Sequence, residues 1–212
     1  MAILRMFMLI SALLFSGSVL AQRWVPFSSV EDGFRMMAPG EFEIEEIDFE
    51  TEYGIIVPAR IYSHENDTGT FKMTIVDYRD SQRLHEERLE ENGGLYVSIY
   101  GEVDVRGSVA FAAKKIRDRA STIEYDAYHY ISRIDGHQLQ TTNPDRSRTF
   151  AAIYLRNSRL YVSEATVKEG ATPPGMFQQS LEFIDENGEL VRYGSFREVI
   201  KVLGAPDDGP RF

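Results

Sequence analysis

The chain has 212 residues, 23 basic and 33 acidic side chains, a net charge of −10 and no cysteine. That charge argues against a nucleic-acid partner, and the missing cysteines exclude thiol catalysis and disulfide staples. Apolar residues at 43% and aromatics at 12% argue against disorder, and the length predicts one domain with its own core.

Met1 to Ala21, MAILRMFMLISALLFSGSVLA, has an early Arg, an apolar run and small residues at Val19 and Ala21. This is the pattern of a secretory signal peptide. The apolar run is shorter than the roughly 20 residues that a spanning helix requires, and no cysteine stands at the cut to carry a lipid. Cleavage after Ala21 leaves 22 basic residues against 33 acidic ones, a charge of −11. The expected product is periplasmic or secreted, with no transmembrane segment. It comprises one domain over residues 22–193 and a short helix and tail over 194–212.

Phe34 to Ala38 opens a strand that Pro39-Gly40 ends. Phe42 and Ile44 then alternate with glutamates, but Ile47 and Phe49 have the opposite parity, which predicts a bulge near Glu45-Glu46. GIIVPARIYSH and TFKMTIVDY alternate as antiparallel partners. Asp80 to Asn92 is polar almost all round and reads as a short surface helix or loop. Ser108 is placed to cap a helix running to Ala120, with Val109, Ala112, Ala113, Ile116 and Ala120 as its apolar stripe.

TIEYDAYHYISRIDGHQLQ predicts a long alternating strand that turns at Asp135-Gly136. In SRTFAAIYLRNSRLYVSEATV the turn Asn157-Ser158 predicts a two-residue hairpin pairing Arg156 with Arg159, Tyr154 with Tyr161 and Ala151 with Glu164. Both faces of that hairpin are apolar, so it belongs in the middle of a sheet covered on both sides. Thr172 and Pro173 predict a closing helix with Phe177, Leu181 and Ile184 buried. ENGELVRY reads as a turn and strand, and Ser195 as the cap of a last helix to Leu203.

This order of elements resembles the PsbP-like α/β/α sandwich, and DGFRMMAPGEF looks like the strand-and-proline entry of that fold. The run from Arg133 to Tyr193, RIDGHQLQTTNPDRSRTFAAIYLRNSRLYVSEATVKEGATPPGMFQQSLEFIDENGELVRY, is similar to a group of exported proteobacterial proteins. The resemblance covers residues 31–193. It implies an α+β class, a PsbP-like α/β/α sandwich with a central, mainly antiparallel sheet, and a binding or assembly role rather than catalysis. Relatives tend to have Asp-Gly in the turn before the last hairpin, where this chain has Asp145-Arg146, so a tight turn with positive φ is less favoured here.

The candidate chemistry is sparse. His64, His85, His129 and His137 lie on different elements without metal-ligand spacing, so no metal or cofactor is expected. His129 shares a strand face with Ile123, Tyr125, Ala127 and Ile131 and reads as a hydrogen-bonded core histidine. Glu65 and Asp67 in HENDTGT do not match a calcium loop and read as a hairpin tip. Glu164, on an apolar hairpin face, must be paired or protonated. It reads as an ion pair with an arginine such as Arg133 or Arg148, or alternatively as a pocket acid of raised pKa. Lys114, Lys115, Arg117 and Arg119 oppose the charge of the whole chain; they read as a solvated helix end or as a docking patch for an acidic partner. The expected function is an exported, non-catalytic binding or assembly module for a periplasmic protein or small ligand. The alternative is a small hydrolase-like enzyme using Glu164.

Overall fold

The computed structural model describes residues 24–91, 93 and 99–192. The expected signal peptide and the last expected helix lie outside the described residues. Among the described residues, ten strands and three helices follow in the order β1 (Val25–Ser29), β2 (Phe34–Ala38), β3 (Glu43–Glu50), β4 (Ile56–Asn66), β5 (Gly69–Asp77), α1 (Ser81–Glu91) and α2 (Tyr100–Arg119). Then come β6 (Thr122–Ile131), β7 (Ile134–Thr142), β8 (Arg148–Arg156), β9 (Arg159–Val167), α3 (Gly175–Gln179) and β10 (Glu182–Phe183). All pairings are antiparallel, in a seven-stranded sheet β3-β4-β5-β9-β8-β7-β6 and a three-stranded sheet β1-β2-β10.

The expected α/β/α sandwich is not what forms. The large sheet is covered on one face by α2, which crosses β7, β8 and β9 and carries α1 beside it. Its other face is covered mainly by the second sheet, with the five-residue α3 as the only helix there among the described residues. The fold is therefore largely β, and the closing helix is the reason. Its expected stripe divides: Phe177 is in α3, whereas Leu181 follows it and Ile184 lies past β10 in a bridge to Leu190. Pro174, rather than Thr172, stands at the N-terminus of α3.

Two apolar clusters form the core, one on each face of the large sheet. Phe34, Met36, Phe42, Tyr62, Phe71, Met73, Tyr154, Tyr161, Phe177 and Phe183 fill the space under the small sheet. Val57, Ala59, Val76, Ala113, Ile116, Leu139, Ile153 and Leu160 pack beneath α2. The central hairpin β8-β9 contributes to both, with the register that the Asn157-Ser158 turn predicts. Both turn residues have positive φ, 50° and 56°, the twist that matches two antiparallel strands.

This double coverage also explains the parity change in β3. β3 pairs with β4 without interruption from Glu43 to Glu50, so no bulge lies at Glu45-Glu46. Phe42 packs under the small sheet, while Ile47 and Phe49 pack on the helix side. The change of parity marks a change of face. The irregularity in the large sheet lies instead in β6, between Ile123 and Tyr125.

Two other boundaries move. The β6-β7 turn is Ser132-Arg133, with φ of 48° and 63°, and Asp135-Gly136 lies inside β7. Gly136 is opposite His129 and Tyr154; a Cβ there would fall 2.2 Å from the Ile153 carbonyl oxygen and 2.3 Å from the Tyr154 ring. The glycine admits close packing rather than a turn. Helix α2 begins at Tyr100, a little over two turns before Ser108, whose hydroxyl donates to the Val105 carbonyl in mid-helix. The Asp145-Arg146 connection does use positive φ, 68° at Arg146.

Candidate functional site

The small sheet stops short of one end of the large sheet, and the uncovered strip forms an open cleft of about 420 Å³. Its walls are the β1-β2 turn, β3, and the adjoining parts of β4, β5 and β9. Strand alternation places Glu46 and Asp48 of β3, Pro58 and Arg60 of β4, and Ile75 and Asp77 of β5 on this face. Pro58 is tolerated in β4 because the ladder to β5 begins only at Ala59.

Arg60 is the centre of the cleft. Its guanidinium reaches Asp32 at 2.9 Å, Glu31 at 2.7 Å and Glu46 at 3.0 Å. Asp32 is buried and also accepts the Tyr62 hydroxyl, while its main-chain carbonyl accepts Tyr161 Oη at 2.8 Å. Hydrogen bonding to Glu31 raises the Arg60 pKa further, so it stays charged. The same bond holds the Glu31 carboxyl below its ordinary range. Burial, followed by the bond to Asp32, pushes the Tyr62 phenol up, so Tyr62 is a donor at neutral pH. On the opposite wall Arg159 donates to the Glu31 carbonyl at 2.8 Å and lies 3.7 Å from Asp77. Burial raises the Asp77 pKa, but bonds from Arg79 outweigh it and hold the carboxyl down.

The rim beyond this floor is acidic. β3 is an edge strand, and Glu43, Glu45, Glu46, Asp48 and Glu50 are all exposed along it. Among the described residues, only Glu46 of these has an ion-pair partner. The cleft offers fixed guanidinium–carboxylate pairs and an anionic edge, an arrangement suited to holding a cationic chain.

A second polar cluster is sealed between α1, α2 and the β3-β4 connection. His85 Nε2 lies 2.9 Å from Asp104 Oδ2, and Thr51 donates to the same oxygen. His85 and Asp104 are 4% and 1% exposed, so no solute reaches the pair. Asp104 Oδ1 and Tyr78 Oη have no hydrogen-bond partner among the described residues. Sequence reasoning missed both clusters. The legible signals were Arg60 in a largely apolar strand and His85 in an otherwise polar helix.

The four cations in the second half of α2 do not form a free patch. Lys114 pairs with Asp118, and Lys115 lies 4.3 Å above the Phe111 ring and 4.5 Å above the Phe49 ring. Arg117 holds Asp126 of β6 with help from His137, and Arg119 holds Glu164 of β9. The partner of Glu164 is thus the helix residue Arg119, not Arg133 or Arg148; Arg148 instead donates to the Ala171 carbonyl. His129, half-buried, bonds Tyr154 Oη at 2.8 Å. Glu65 and Asp67 stand at the β4-β5 hairpin tip. Among the described residues no cluster of histidines and carboxylates could hold a metal ion, and no helix is long and apolar enough to cross a membrane.

No family model matches the chain, and no curated protein matches it significantly.

Proposed function

We propose that this chain is an exported, non-catalytic binding or assembly module that receives a cationic partner segment along β3 and the adjoining cleft. The observation that carries this reading is the edge strand itself, which exposes five carboxylates in eight residues, two of them, Glu46 and Asp48, lining a cleft whose central Arg60 is already neutralised. Unpaired surface carboxylates of one sign focus potential and attract the opposite charge. The cations of α2 are engaged within the chain, so the acidic edge is the stronger electrostatic feature. The resemblance to exported proteobacterial proteins supports the location.

An oligolysine peptide, labelled for fluorescence anisotropy, tests the reading at low and moderate salt. The expected result is salt-sensitive binding that weakens about tenfold or more when Glu43, Glu45 and Asp48 are changed to Lys. The Lys114→Glu, Lys115→Glu variant serves as the comparison and is expected to bind at least as well as the parent. Binding that survives the β3 reversal, or no binding at low salt, overturns the reading.

A further inference from the structure

Both edges of the seven-stranded sheet are open among the described residues, and they differ in chemistry. Two β3 strands laid antiparallel over their full length would set Glu43 against Glu50 and Glu45 against Asp48. Like charges directly opposed disfavour such pairing, a common protection of edge strands.

β6 lacks that protection. Its ten residues, TIEYDAYHYI, include no Lys, Arg or Pro, and its bulge is confined to the Glu124 end. Its two carboxylates are engaged within the chain, Glu124 by Thr142, and Asp126 by Arg117 and His137. Tyr128 and Tyr130 are 63% and 61% exposed. Ile131 and Ile134 flank the two-residue turn and form the hydrogen-bonded pair that closes it. Alternation along the ladder then turns the N–H and C=O groups of Tyr130, Tyr128 and Asp126 outward.

We propose that β6 pairs antiparallel with β6 of a second copy of this chain across a two-fold axis, joining the two large sheets into one. The arrangement is self-complementary, as an isologous interface requires. An axis at Ala127 sets Tyr128 opposite Asp126 of the partner subunit; an axis at Tyr128 sets Tyr130 there instead. In both registers no carboxylate faces another, and phenol–carboxylate and aromatic contacts line the seam. The acidic β3 edges remain at the two outer ends of the joined sheet, so this interface is independent of the cleft.

The full chain, purified and examined by sedimentation velocity over a concentration series, is expected to show a dimer that dissociates on dilution. Tyr128→Pro removes an outward N–H while leaving the β6-β7 ladder intact, and Tyr130→Lys places a charge at the seam. Each is expected to raise the dissociation constant by about tenfold or more, with the circular dichroism spectrum and Tm retained. If Tyr128→Pro does not fold, Tyr130→Lys alone decides. A wild-type chain that stays monomeric at every concentration overturns the proposal, as does a dimer that both variants leave unchanged.

Discussion

Asp32 in the β1-β2 turn and Arg60 in β4 lie 2.9 Å apart, so one ion pair ties the turn of the small sheet to the large sheet. The Asp32 side chain is 9% exposed and that of Arg60 19%. Truncating Arg60 would leave the carboxylate buried, supported by the Tyr62 hydroxyl alone among its side-chain partners in the cleft. Arg60→Ala is expected to lower stability by about 3 kcal/mol, read as a drop in the urea midpoint. A midpoint unchanged within error would show that the turn is held by the apolar contacts of Phe34 alone.

Acid sensitivity should arise in part at Asp126. The hydrogen bond from Arg117 holds its carboxyl down to about 2, against an ordinary 3.8. A carboxylate depressed in the folded state stabilises fully above its unfolded pKa and loses that contribution as pH falls through the folded one. The window is therefore from about pH 4 down to about pH 2. Asp126→Asn is expected to be less stable than the parent at pH 6 and to show a flatter loss of Tm across that window. Parallel Tm–pH curves for the two proteins would contradict the linkage.

Phe177 is fully buried and meets the Phe71 ring edge-on at 5.4 Å and the Phe42 ring at 6.5 Å. Although α3 is only one short turn, it seats this ring beneath the sheet. Phe177→Ala is expected to destabilise the domain by about 3 to 5 kcal/mol. Phe177→Leu should recover much of that loss, because it restores most of the volume. Equal denaturant midpoints for Phe177→Ala and the parent would show that the ring is not part of the core.

The sealed His85–Asp104–Thr51 cluster gives a different kind of test. Replacing Asp104 by Leu keeps approximate size but leaves His85 Nε2 and the Thr51 hydroxyl without their acceptor. An unsatisfied buried donor costs about 1 to 3 kcal/mol. The expected signature is faster hydrogen exchange of α1 and of the N-terminal half of α2, with the β8-β9 core protected as before. Uniform loss of protection over the whole chain would contradict a local role.

What could be read from the sequence was whatever depends on neighbours along the chain. The Asn157-Ser158 turn determined the β8-β9 register, because two residues between alternating strands leave one pairing. The two-sided apolar character of that hairpin placed it at the sheet centre, where β5 and β7 flank it. The need of Glu164 for a cation was also legible, since a carboxylate on an apolar face is costly unpaired.

Only the tertiary structure decided what covers each face and which charges meet. Arg119, rather than Arg133 or Arg148, reaches Glu164 because α2 lies across β9. Gly136 serves close packing rather than a turn because the Tyr154 ring arrives from the next strand. The short apolar run from Phe177 to Ile184 satisfies a helix stripe and a turn–strand segment equally well. Pairing of Glu182 and Phe183 with β2, a contact across 147 residues between Arg35 and Glu182, tips it toward the sheet. Asp32, Arg60 and Tyr62 form one site for the same reason: the folded sheets, not local spacing, bring the turn of one layer against a strand of the other.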